Sequence, residues 1–323
     1  MTSDIAFVAC IERNAIEAQA FALFESIRTF GGRFAGCPIY AVAPRQGYGV
    51  GVRARRRLRD LAVEYVDDLL NRECREYGSA NRVLAAAHVE ANTSHEILAV
   101  LDSDTVFLRE PVELELPAGV DLAVRPVDVK GICTTGTQDP NEVYWTALAR
   151  LAGCDVGVLP WIETFVEGVP VRANYNGGLV VARSGKGILR RWADIFMASI
   201  RAGLTPSSEV FPLRSSTGPV GPAACRLWGS NQAALALAAW STTDRVQILA
   251  PEYNYPLHVH QRIPPARRAS DFSALVHVHY HWLGAADTDA VDVNPLFAGL
   301  WPHADPVRLW LESRFPLRHA SGR

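Results

Sequence analysis

Two carboxylates one residue apart, Asp102 and Asp104, interrupt an apolar run in Leu98-Ala99-Val100-Leu101-Asp102-Ser103-Asp104-Thr105-Val106-Phe107-Leu108. Strict strand alternation puts both side chains on one face. Two anions there repel each other and are costly to desolvate unless a cation binds them. A divalent metal held by carboxylate oxygens removes that cost and leaves coordination positions open for phosphate oxygens. The competing reading of a lone Asp-x-Asp is a strand end whose aspartates cap the next turn.

A second group of chemistry-bearing residues lies late in the chain. Leu275-Val276-His277-Val278-His279-Tyr280-His281-Trp282 places three histidines on one strand face by period two. Neutral imidazole is a common metal ligand. The alternatives are a partly exposed strand with hydrogen-bonded histidines, or a three-histidine zinc site, which leaves the aspartates unexplained. Between the two groups, Asn174-Tyr175-Asn176-Gly177-Gly178 precedes an apolar run. Its glycines allow backbone to approach a ligand, and its asparagines can bond sugar hydroxyls. An ordinary turn is the plainer reading. Ser230-Asn231-Gln232 opens an Ala/Leu-rich helix, either as a Ser N-cap or with amides turned to a ligand.

The elements that must position these residues follow from periodicity. Residues 5–11 read as a buried strand. Residues 15–30 have helical spacing with Asn14 as N-cap, stopped by Gly31-Gly32. Residues 38–43 are a second strand, residues 58–66 a helix end or a third strand, and residues 81–91 a helix feeding the strand that ends at Asp102. Another strand covers 122–125. Strands alternating with helices predict a mostly parallel α/β sheet with helices on both faces. Ligands of such sheets sit beyond the carboxyl ends of the strands, where Asp102 and Asp104 fall. Farther on, residues 142–151, 188–200 and 230–240 read as helices, with strands at 179–182 and 275–282. Residues 203–222, rich in Pro, Ser and Gly, have the character of a lid or binding loop. The tail, with Trp301, Trp310 and Phe315, reads as a helical extension.

Composition narrows the function. The 323 residues suffice for a large core, and 49% hydrophobic with 20% charged residues describes a globular protein. A net charge of −2 gives no global reason to bind nucleic acid. The run Arg53, Arg55, Arg56, Arg57 and Arg59 could greet anionic lipid or a phosphorylated donor, or be the solvated face of a helix. No transmembrane segment is long enough, no signal peptide is visible, and six scattered cysteines without a Cys-x-x-Cys pair read as reduced thiols. The expectation is a cytoplasmic protein. The oligomeric state is left open, a homo-oligomer included.

Taken in order, these pieces resemble the GT-A glycosyltransferases, specifically the retaining family-8 type that includes glycogenin and bacterial galactosyltransferases, over about residues 5 to 284. The stretch from Ala6 through Ala9 and Glu12 to Asn14 looks like the family's opening strand and donor-base loop. Arg82 sits where the family has a basic residue before its metal motif. Leu101-Asp102-Ser103-Asp104-Thr105 looks like that motif, Asn176-Gly177-Gly178 like the donor-sugar loop, and Tyr253-Asn254 like the Tyr-Asn turn. His279-Tyr280 is similar to the terminal His-aromatic pair.

The resemblance implies a hexosyltransferase that moves a sugar from a UDP- or GDP-sugar to a hydroxyl-bearing acceptor, a glycan or small molecule, with retention. It implies Mn²⁺ or Mg²⁺ on Asp102, Asp104 and His279, with Asp104 the direct ligand, Asp102 sharing the metal or binding the ribose, and His277 and His281 as competing ligands. Ala9, Glu12, Arg82, Ser103, Asn176 and Gly177 would bind the donor, and Gln232 with Asn176 would act at the anomeric carbon. It divides the chain into a nucleotide-sugar-binding half (1–125), a donor-sugar and acceptor half of the same domain (126–286) and a C-terminal extension (287–323). Two departures stand out: Asn231 replaces the usual acid, which disfavours a carboxylate nucleophile there, and the Lys that normally follows the terminal His is absent. A nucleotidyltransferase remains an alternative, although its Gly-rich basic loop is missing after the first strand. A non-catalytic nucleotide-sugar-binding module is the other.

Overall fold

The structure is a computed structural model that describes residues 4–206, 213–281 and 305–314. The first strand, β1 (Ile5–Cys10), is wholly buried because its apolar residues serve both faces of a sheet. It leads through α1 (Ala15–Phe30) to β2 (Ile39–Val42), then through α2 (Val52–Asp60) to β3 (Glu64–Val66). Next come α3 (Ser79–Asn92), β4 (Ile97–Leu101), β5 (Thr105–Phe107) and β6 (Leu122–Pro126). The second half begins with α4 (Glu142–Leu151), the hairpin β7 (Trp161–Glu163) and β8 (Pro170–Arg172), β9 (Tyr175–Arg183) and α5 (Ile188–Arg201). A two-residue hairpin, β10 (Arg214–Ser215) with β11 (Gly218–Pro219), precedes α6 (Pro222–Leu227) and α7 (Ser230–Trp240). The described chain closes with β12 (Val246–Ile248), β13 (Tyr255–Pro256), β14 (His277–His279) and α8 (Pro306–Arg314).

Seven strands form one sheet in the order β12-β6-β9-β4-β1-β2-β3. β4, β1, β2 and β3 are mutually parallel, as are β6 and β12, while β9 runs antiparallel between β4 and β6. The result is a mixed α/β fold with a mainly parallel central sheet flanked by helices. Alternation sorts the core. Ala6, Val8, Cys10, Leu98 and Val100 pack under α3, α5 and α7, with Trp145 and Trp192 among the buried rings. Ile5, Phe7, Ala9, Ala99 and Leu101 face α1 through Leu23, Phe24 and Ile27.

Several local expectations change. Asn14 precedes α1 with φ 75° and makes no capping bond through its side chain. Ser230 is inside α7, whose N-cap is Gly229 in the left-handed region. Residues 58–66 hold both alternatives in turn, the end of α2 and then β3. The arginine run is α2, with Arg53, Arg56 and Arg59 exposed, Arg55 2.7 Å from Asp67, and Arg57 paired with Glu25. Asn176-Gly177-Gly178 is inside β9 rather than in a loop before it. The histidine strand shrinks to three residues. In the tail, Trp310 stands edge-on to Phe30 at 5.3 Å, while Trp301 and Phe315 lie outside the described residues. α5 also lacks a side-chain N-cap of its own. The buried carboxylate of Glu90 substitutes, accepting from the amides of Leu189 (3.2 Å) and Arg190 (2.8 Å). Among the described residues no helix is long and apolar enough to cross a membrane.

One irregularity shapes the functional end of the sheet. β9 pairs with β4 without a break, but its register with β6 jumps from Val124↔Val180 to Arg125↔Asn176. The extra residues include Gly177 and Gly178. The jump makes a bulge that re-aims Asn176 away from a regular ladder.

Candidate active site

The parallel strands β1, β2 and β4 all end on one side, and a cavity of about 820 Å³ opens there. β4 stops at Leu101, so Asp102, Ser103 and Asp104 form a turn rather than continuing an alternating strand. That turn is fixed at three points. The Ser103 hydroxyl donates to the Cys10 carbonyl (2.7 Å), Thr105 Oγ1 donates to the Asp102 carbonyl (2.7 Å), and the Asp102 amide donates to the Gly178 carbonyl (3.1 Å).

The turn gives the two aspartates different partners. Asp102 is ion-paired with the buried guanidinium of Arg82. Asp104 meets the histidines instead. β14 pairs antiparallel with β5, which sets His279 opposite Thr105. His279 Nε2 then lies 3.2 Å from Asp104 Oδ1, and its Nδ1 is buried without a hydrogen-bond partner. His281, in the left-handed region at φ 51°, reaches Asp104 Oδ2 with Nδ1 at 3.5 Å. The two imidazoles stack at 4.5 Å with an interplanar angle of 13°. One ligand atom from each of Asp104, His279 and His281 lies within 4.8 Å of the others. Asp102 is not in this group, and its carboxylate is turned to Arg82 instead. His277 is not in it either. It is buried against the Phe107 ring at 4.5 Å, and its Nδ1 accepts from the Asn254 amide at 3.2 Å.

The electrostatics favour a cation at Asp104. Burial opposes ionisation of this carboxyl, yet His279, His281 and a hydrogen bond from Ser216 outweigh it and hold the group well below the usual carboxylate range. Burial likewise opposes a proton on His279, but the Asp104 carboxylate prevails and pushes its pKa up to about 9. His281 is pushed down to about 4 by burial and by charge on His279, against the pull of the Asp104 carboxylate. His258, whose ring lies 4.2 Å from that of His281, is pushed down to about 2 by burial and by both histidines. Two imidazoles and a carboxylate suit a divalent transition ion such as Mn²⁺ better than an ion that seeks an all-oxygen shell.

The cavity wall also carries Ser103, Arg82, Asn176, Asn231 and Gln232. Asn231 Oδ1 accepts from the Tyr77 hydroxyl at 3.2 Å, so this amide already has a bonding role within the fold. Asn176 donates to Asp128 Oδ2 at 3.0 Å and accepts from the Gly178 amide at 2.9 Å. A β-carbon on Gly177 would strike the Arg82 guanidinium, and one on Gly178 would come within 2.8 Å of His279 Nδ1. The glycines thus permit β9 to pass against both groups, although Gly177 is not itself part of the wall. Ala9 packs on the opposite face of the sheet, and Cys10 takes its place at the cavity. Glu12 is fully buried and does not line the cavity. Its carboxylate is engaged by Arg45 and by Asn81.

Sequence reasoning missed Asp128 and Arg45, both in the wall. Each follows the carboxyl end of a strand, β6 and β2 respectively, and that position was the available signal. Burial pushes the Asp128 pKa up to about 6, against the pull of His279, Arg125 and the Asn176 hydrogen bond. The hairpin β10–β11 covers part of the opening. Its Ser216 reaches Asp104, and the Ser216 carbonyl accepts from Gln19 at 3.5 Å.

Comparison with known proteins extends this picture. A solved structure titled as the apo form of the WbbM bifunctional glycosyltransferase is similar at a TM-score of 0.53 and 14% identity, covering 97% of this chain and 52% of that one. The chain therefore spans about half the length of that structure, and the likeness concerns the fold. No curated protein matches. The family described as the Rhodobacterales glycosyltransferase domain matches residues 7–209, which include the Asp102–Asp104 turn and Asn176 and stop before Gln232 and His279. Matched over more than half of its length, the chain belongs to this family of glycosyltransferase domains.

Proposed function

We propose that this chain transfers a sugar from a nucleoside diphosphate sugar, a UDP- or GDP-sugar, to a hydroxyl-bearing acceptor, in a GT-A arrangement of the family-8 kind and with retention. The observation that carries the reading is the meeting of Asp104, His279 and His281 at the carboxyl ends of parallel strands, at the wall of a cavity of about 820 Å³, in a chain of glycosyltransferase family. These three residues would hold Mn²⁺, or less well Mg²⁺, and the ion would supply Lewis-acid charge for a departing diphosphate.

The other residues take their roles from position. Arg82, fixed by Asp102 and by the passage of Gly177, presents positive charge to the diphosphate as negative charge develops. Asn176 and Asp128, already hydrogen-bonded to each other, bind donor-sugar hydroxyls. Gln232 offers its amide oxygen to the electron-poor anomeric carbon. With Asn231 at the place of an acid, substitution from the leaving-group face fits this wall better than attack by a carboxylate there. Residues 1–125 serve the nucleotide and residues 126–286 the sugar and acceptor.

The test is a thermal-shift series with UDP, GDP, CMP and dTDP and their sugars, each with Mn²⁺ and with EDTA. Ligand at 100 times its dissociation constant adds about 2.7 kcal/mol to stability. We expect a shift for one nucleoside diphosphate that EDTA abolishes. No shift from any of them with metal present overturns the reading.

A further inference from the structure

Arg45 follows β2 and lines the same cavity as Arg82 and Asp104. β2 stands two strands from β4 in the sheet, about 10 Å away at ordinary strand spacing. Its end is thus offset sideways from the turn that carries Asp102 and Asp104.

The guanidinium of Arg45 is locked at every nitrogen. Nε donates to Glu12 Oε1 at 2.8 Å, Nη2 pairs with Glu12 Oε2, and Nη1 donates to the Arg75 carbonyl at 2.8 Å. Glu12 is itself fixed from behind. Its Oε1 accepts from Asn81 at 3.2 Å, and Asn81 accepts in turn from Asn71 at 2.8 Å, both of them buried. The Tyr48 ring covers one face of the guanidinium at 4.1 Å. A free arginine grips phosphate through a fork of N–H donors. Here the fork is already given to Glu12, and what a flat, held cation still offers the cavity is the 13% of its side-chain surface left open. Such a surface stacks on the π-face of an aromatic ring.

We infer that Arg45, backed by Tyr48, is the platform on which the donor's nucleobase stacks, so that Arg45 and not Glu12 makes the base contact. The inference rests on the nucleoside diphosphate reading above. It assigns Glu12, Asn81 and Asn71 to holding the platform flat. It also makes the platform a selector for the presence of an aromatic base rather than for which base, because every base has a π-face.

The test is calorimetric titration of the full chain, in Mn²⁺, with the nucleoside diphosphate that wild type binds and with pyrophosphate as a base-free probe. Arg45→Lys keeps a cation for buried Glu12 but removes the planar surface. We expect it to weaken nucleoside diphosphate binding by about tenfold, the scale of one stacking contact, and to leave pyrophosphate binding unchanged. Tyr48→Ala, at a residue 39% exposed, should weaken the nucleotide in the same direction with the fold intact. Equal nucleotide affinity in Arg45→Lys and wild type overturns the inference. So does a parallel loss for pyrophosphate, which would make Arg45 a phosphate contact. If wild type binds pyrophosphate but no nucleoside diphosphate, the donor reading itself falls and takes the inference with it.

Discussion

His279 Nε2 lies 3.2 Å from Asp104 Oδ1 because the short strand β14 lays His279 directly across from Thr105 on β5. The same carboxylate receives His281 from just beyond the strand end, while its neighbour in the motif, Asp102, is turned to Arg82. The division of labour between the two aspartates has a direct experimental signature.

Asp104→Asn and His281→Asn should each weaken Mn²⁺ binding strongly, by about 100-fold, since losing a ligand costs at least as much as losing the hydrogen bond that orients one. Asp102→Asn should leave Mn²⁺ affinity near wild type and instead weaken nucleoside diphosphate binding, because Arg82 loses the partner that aims it. Calorimetric titration with Mn²⁺ alone, then with nucleotide, separates the two. A loss of Mn²⁺ affinity in Asp102→Asn equal to that in Asp104→Asn would return Asp102 to the ligand set.

Gly178→Ala should damage the site more than the fold. Its β-carbon would lie 2.5 Å from Asn254 Oδ1 and 2.8 Å from His279 Nδ1, so one of those side chains must move. We expect weakened Mn²⁺ binding together with a stability loss of about 1–3 kcal/mol in urea unfolding. Gly185→Ala is the matched control, since a β-carbon there meets nothing within 4 Å. Unchanged metal binding in Gly178→Ala would mean that His279 has room the packing does not suggest.

Asp128→Asn should stabilise the protein, and increasingly so as the pH rises from about 4 to about 6. The folded Asp128 carboxyl titrates at about 6 instead of the ordinary 3.8, chiefly because of burial. Between those values the folded state holds a proton that the unfolded state has released, so wild-type stability falls through this window as pH increases. The Asn variant has no such group, and its amide oxygen can still accept from Asn176. Urea midpoints of both proteins at several pH values measure the difference. A stability gap that stays flat between pH 4 and pH 6 would show that Asp128 titrates normally.

Periodicity made the scaffold legible. The burial of residues 5–10 on both sides, the helical spacing from Ala15 to Phe30 and the apolar lead into Asp102 are local signals, and the strands and helices follow them. What the chain does between elements was less visible. Whether Asp102 and Asp104 share a face depends on where β4 stops, and the turn beyond it is held in part by the Ser103 hydroxyl on the carbonyl of Cys10, a residue remote in sequence. Which of His277, His279 and His281 face Asp104 is set by a partner strand and by a left-handed residue, neither of which has a spacing rule. Asn176-Gly177-Gly178 reads as a turn because glycines usually mean one, yet here they let an unbroken strand pass close to Arg82 and His279. Asp128 and Arg45 carry no motif, and only the sheet order places them at the same opening.

The histidines of the candidate site ride not on the seven-stranded sheet but on a separate three-stranded one, β13-β14-β5, in which β14 is three residues long. So slight a ladder can fray while the large sheet remains whole. Each such fluctuation would carry His279 away from Asp104 and scatter the site without unfolding the protein. An ion bridging the two residues would work as a staple on that flap, so that occupancy of the site and local order of β14, the last strand among the described residues, become one equilibrium.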